Sequence, residues 1–134
     1  MTLFRSDVDD FREAASDLSR IAAKAVPQAR VTMGQLGEAF ADEWRSNARE
    51  TSGEHGKHYP DSIDAGLAFT VSSVAVDVGP NRLKKQGSMG RGFEFGSENQ
   101  PPHLDGLRAM TLLEPRITRA LDATIGGLFD GAAG

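Results

Sequence analysis

The chain contains no cysteine among its 134 residues, which excludes disulfides and thiolate metal sites and fits synthesis in a reducing cytoplasm. It also lacks any run of 18 apolar residues, so no segment reads as a membrane span. The opening MTLFRSDVDDF is too acidic and too poor in apolar residues for a secretory leader. There is no excess of positive charge, and a net charge of −4 argues against a dedicated nucleic-acid-binding domain. Apolar residues are scarce as well, at 39%, which suits an elongated subunit or one that completes its core in an oligomer. The length predicts a single domain over residues 1–134, with a modest core.

What is present begins with helical periodicity. Phe4, Val8, Phe11, Ala15, Leu18, Ala22 and Ala25 recur at steps of three and four, with Ser6 or Asp7 as N-cap. Val26-Pro27 predicts a break, because the residue before proline disfavours the α region, and a second helix starting near Pro27. That second helix carries Met33, Leu36, Phe40, Trp44 and Ala48 on one stripe; Gly34 and Gly37 either admit a close helix crossing or are tolerated on the surface. Gly53 and Gly56 mark its end, and Thr51–Pro60 reads as a polar loop.

From Ser62 the period falls to two. Ile63, Ala65, Leu67, Phe69 and Val71 alternate with more polar or smaller neighbours, and Val74, Val76 and Val78 do so beyond Ser72-Ser73, predicting a β-hairpin with the valines toward the helices. Phe93-Glu94-Phe95 reads as a short third strand near a sheet edge, with Glu94 facing away from the rings. Thr111-x-x-Glu114 reads as a capping box, with Pro115 in the first turn, and Leu113, Ile117, Leu121, Ile125 and Leu128 as the stripe of a last helix that frays over Gly131–Gly134. The expected class is α+β: two N-terminal helices and one C-terminal helix on a small, mostly antiparallel sheet of three or four strands, joined by long loops.

Candidate chemistry is sparse. His55 and His58, with Glu54 and Asp61 nearby, fall short of a metal-ligand pattern, since the HExxH order is absent and Gly56 opposes a helix. Gly87–Gly96 lacks the Gly-Lys-Ser/Thr of a phosphate loop and does not lead from a strand into a helix. Neither a catalytic residue nor a cofactor is assigned. The basic segment is more informative. Arg82, Lys84, Lys85 and Arg91 sit on a glycine-rich stretch with no acidic residue between Asp77 and Glu94. Three readings stay open: a solvated loop, a contact to an acidic partner surface, or a contact to DNA phosphates. Having few apolar anchors, the stretch from Asn81 to Gly92 is expected to be mobile in the free subunit. Glu94 is expected either to pair with Arg82 or Arg91 across a subunit boundary or to be an exposed carboxylate of little consequence.

The order Tyr59-Pro60-Asp61-Ser62-Ile63, Val78-Gly79-Pro80, Phe93-Glu94-Phe95-Gly96 and Pro101-Pro102-His103-Leu104 resembles a known family. These segments, from the second helix to the last, are similar to those of the gene-product-ten-like tail components of lambdoid, long-tailed phages, the tail-completion proteins of the head-to-tail joint. The loop SGEHGKHYP departs from the family's commoner form. The resemblance implies a structural virion protein with no catalytic residues. It implies a homo-oligomeric ring, expected as a hexamer, that meets neck and tail-tube proteins and lets DNA pass through its lumen without sequence-specific binding or membrane contact. The alternative is a small non-enzymatic adaptor for a soluble protein partner.

Overall fold

The computed structural model describes residues 2–70 and 73–133, with side chains outside the description at 2–6, 18, 22 and 128–133. The class is α+β, mostly helical, in the order α1 (Thr2–Ser52), β1 (Ile63–Phe69), β2 (Val74–Pro80), a short α2 (Gly90–Phe95) and α3 (Asp105–Ala133). Among the described residues no helix is long and apolar enough to cross a membrane.

The predicted break at Val26-Pro27 is absent: α1 is one helix of 51 residues with Pro27 inside it. A proline in a helix deprives the carbonyl four residues earlier of its partner. Here both Ala23 and Pro27 are exposed, so water can serve that carbonyl and the helix continues. Gly53, with φ +58°, ends α1, and the Gly56 N–H donates to the Ser52 carbonyl at 3.1 Å.

The second stripe of α1 forms the core. Leu36, Ala41 and Ala48 are buried, Phe40 and Trp44 are half-buried, and Tyr59, Ile63 and Phe93 close over them. The first stripe has no such cover. From Asp7 to Arg20 every described side chain is exposed except the half-buried Val8, and Phe11 is 75% exposed. Phe4, Leu18 and Ala22 of that stripe lie outside the described side chains.

The sheet has two strands rather than three or four. β1 and β2 pair antiparallel from Ile63↔Pro80 to Phe69↔Val74, and the Thr70 N–H donates to the Ser73 carbonyl at 2.9 Å to close the turn. Val71 and Ser72 lie outside the described residues. Val74, Val76 and Val78 are half-buried while Ala75 and Asp77 are exposed, so the period-two reading holds and the valine face meets α1. The hairpin tip leaves the core, where Phe69 is half exposed and the Arg30 guanidinium lies 3.7 Å from its ring centroid.

α3 runs antiparallel to the second half of α1. The Asn47 side chain donates to the Asp105 carbonyl at 3.0 Å near one end, and the hydroxyls of Thr32 and Thr124 are 3.0 Å apart near the other. Leu113, Ile117 and Leu121 are half-buried, Ile125 is exposed, and Leu128 lies outside the described side chains. The helix starts six residues before the predicted capping box. Thr111 instead donates its hydroxyl to the Leu107 carbonyl one turn back, and Pro115 sits within the helix. The expected fraying from Gly131 is not seen, since α3 extends to Ala133; Gly134 lies outside the described residues.

The two α1 glycines differ in what surrounds them. A Cβ on Gly37 would lie 2.5 Å from Val76 Cγ2, so this glycine admits β2 rather than another helix, whereas nothing lies within 4 Å of a Cβ on Gly34. We expect Gly34→Ala to stabilise the fold by about 0.5–1 kcal/mol through helix propensity. Gly37→Ala should instead cost about 1–2 kcal/mol from overpacking. Urea denaturation of the two variants checks this, and equal effects would show that Val76 does not bear on Gly37.

Candidate interface site

Glu94 is the residue the sequence misplaces most. Phe93-Glu94-Phe95 is not a strand but the end of the single-turn α2, flanked by glycines that make the Phe-Glu-Phe alternation coincidental. The turn buries Phe93 and Glu94 and leaves Phe95 68% exposed. Phe93 stacks on Tyr59 with centroids 4.5 Å apart, and Gly56 packs against its ring edge. This seating carries the Glu94 carboxylate, 7% exposed, to the first turn of α3.

There it accepts the Gly106 N–H on Oε1 at 2.9 Å and the Leu107 N–H on Oε2 at 3.1 Å. Those amides are among the four that a helix start leaves without intrahelical partners, and a negative charge also favours the positive end of the helix dipole. The chain between is tied the same way, with the His103 and Leu104 N–H groups donating to the Phe93 and Glu94 carbonyls at 2.9 and 3.1 Å. Glu94 is therefore a helix cap within its own subunit. Its burial corrects the expectation of an exposed carboxylate, and among the described residues of the chain it forms no ion pair with Arg82 or Arg91.

Asp105 fixes the same helix end from the other side. Fully buried, it accepts the Thr51 hydroxyl at 2.9 Å on both oxygens and the Arg108 guanidinium at 2.9 Å. The Trp44 indole fills the space beside Gly106, where a Cβ would fall within 2.7 Å of the ring. The Trp44 N–H lies beside the Tyr59 hydroxyl without meeting hydrogen-bond geometry, and neither atom has another partner among the described residues. Burial pushes the Tyr59 phenol up to about 12. The Trp44 N–H opposes that rise, while the carboxylates of Glu94 and Asp105 add to it.

The basic stretch is folded rather than unanchored. Asn81 accepts the Leu83 N–H on its side chain and the Lys84 N–H on its carbonyl, at 2.9 and 3.0 Å. A 3-10 turn follows over Gly87–Met89, and Gln86 bridges to the His58 N–H and the His55 carbonyl, both at 2.8 Å. The expectation of a segment without anchors overlooked these polar ties, which hydropathy does not register. Lys84 is engaged, its ammonium 2.8 Å from Asp64 Oδ1; together with Asn81 this holds the Asp64 carboxyl below its usual range. Lys85 is exposed without an ion pair among the described residues. Arg82 and Arg91, likewise exposed and unpaired among them, line one cavity of about 310 Å³ with Trp44, Pro80 and Phe95, into which Glu94 also reaches. The structure thus brings together three of the five candidates: Arg82, Arg91 and Glu94. His55 and His58 are not part of any cluster of three metal-ligating side chains among the described residues.

Comparison of the chain with protein-family models, with curated proteins and with solved structures yields no match. Function therefore rests on the residues themselves.

Two outcomes check the centre described above. Glu94→Ala should lower unfolding free energy by about 2 kcal/mol in the isolated subunit, because two buried N–H groups lose their acceptor. Glu94→Gln, which keeps one acceptor oxygen, should cost less; an unchanged urea midpoint in both would contradict the cap. Tyr59 is the chain's single tyrosine, so phenolate absorbance reads it alone. It should titrate near about 12 in the folded protein, against 10.0 ordinarily. A raised phenol pKa contributes stability in full below pH about 10, and that contribution is lost as pH rises toward about 12. Tyr59→Phe should flatten that decline, and an equally steep fall in the variant would contradict it.

Proposed function

We propose that this chain is a self-assembling structural subunit and that its assembly is the ring of a phage head-to-tail joint. The supporting observation is where its apolar side chains lie. The core of described residues is small, while Phe11, Val31, Phe95, Leu107, Leu112 and Ile125 are all more than half exposed. Water-exposed rings and aliphatic groups in that number favour association, at roughly 25 cal/mol for each Å² covered. A helix left uncovered over residues 7–20 is a poor shape for a monomer and a useful one for a subunit that reaches its neighbour.

The resemblance to tail-completion proteins supplies the identity within that class. Of its segments, Val78-Gly79-Pro80 closes β2, Phe93-Glu94-Phe95-Gly96 builds the cap on α3, and Pro101-Pro102-His103-Leu104 leads into that helix. Each has a structural role of the kind such a protein needs. In this reading the ring, expected as a hexamer, lies between head connector and tail tube, its partners are neck and tail-tube proteins, and DNA crosses its lumen.

Sedimentation velocity with negative-stain imaging tests the proposal. We expect a closed annular particle of a fixed multiple of 14.3 kDa, six in the favoured case. A species that stays at one subunit mass at every concentration, or forms a compact dimer without a lumen, would overturn it, the latter favouring an adaptor.

A further inference from the structure

The first turns of α1 and the cavity beside Trp44 are opposite in charge and share an aromatic character. Asp7–Asp17 contains five carboxylates and a single cation, Arg12. Asp7 lies one turn before the exposed Phe11 on the same helix face, since residues four apart share a face, and Asp10 precedes Phe11 directly in the chain. Neither carboxylate has an ion-pair partner among the described residues. The cavity of about 310 Å³ offers the complement: Trp44, Pro80 and Phe95 as apolar lining for a phenyl ring, with the guanidiniums of Arg82 and Arg91, which have no ion pair among the described residues, beside them. Planar guanidinium groups suit carboxylates and stack on aromatic rings.

We propose that Phe11 of one copy of this chain, with Asp7 and Asp10, docks in the Trp44–Arg82–Arg91 cavity of the next copy. The same chain cannot supply its own occupant. Phe11 and Trp44 belong to one continuous helix, and 33 residues of helix hold them about 50 Å apart. Each subunit therefore keeps one arm and one cavity, and the contact is heterologous, closing into a ring when the rotation allows. This contact rests on the self-assembly proposed above and names the surface that makes it. Glu94, which also lines the cavity, is occupied by the two N–H groups it caps, while Arg82 and Arg91, without ion pairs among the described residues, can recruit carboxylates from outside.

The test uses the full chain in sedimentation velocity at low salt. Arg82→Glu/Arg91→Glu and Asp7→Lys/Asp10→Lys should each weaken self-association about tenfold or more, and combining all four changes should restore it to within about threefold. Phe11→Ala should weaken it with either charge arrangement. Circular dichroism should show all variants folded, because the altered residues are exposed. Assembly of the parent with no response to either charge reversal would overturn the docking while leaving self-assembly intact. So would sensitivity to Phe11→Ala alone, which would point to arm–arm pairing or to the apolar groove at Met33, Phe40 and Met110. A parent chain that never associates would overturn both readings.

Discussion

Glu94 and Asp105 bring two carboxylates to the same helix end, and the position of that end decides how much of α1 is covered. Glu94 reaches it from α2 and accepts two backbone N–H groups, while Asp105 is locked to Thr51 near the end of α1. The 29 residues of α3 then run back along α1 for about 43 Å, against about 76 Å for the 51 residues of α1. The surplus is the acidic arm. An unsatisfied carboxylate or helix end in this dense setting would cost several kcal/mol, so the start of α3 cannot slide.

The same centre places the basic surface. Trp44, against Gly106, also lines the cavity shared with Arg82 and Arg91, and at Gly90 there is no room for a Cβ beside Pro80. Asn81 and Gln86 tie the intervening turns to the chain near Ser62 and His58, so the two guanidiniums stand on a folded base. One end of α1 thus holds the structured half of the molecule with a basic cavity, and the other end is an acidic helix alone. Opposite ends with opposite charge favour head-to-tail association over a symmetric dimer.

Periodicity made the local half of this legible. The Leu36–Ala48 stripe, the Val74–Val78 alternation and the end of α1 at Gly53 follow from residues that act on their own neighbours. What was illegible is non-local. Nothing near Glu94 in the sequence announces that its acceptors serve amides 12 and 13 residues onward. Without that cap, Thr111 looks like the natural start of α3. Pro27 carries a strong local signal that exposure to water neutralises. The basic segment looks loose in sequence because side-chain amides, not apolar groups, anchor it.

The two halves of α1 are in different states, one covered by α3 and the hairpin, the other exposed over residues 7–20 and, on the proposed assembly, the part that meets a neighbour. Hydrogen exchange resolved along α1, at dilute and at assembling concentration, measures this directly. Amides of residues 36–52 should be slow in both states, and those of residues 7–20 should be fast when dilute and become protected on assembly. Residues 7–20 exchanging at the same rate in both conditions would contradict it.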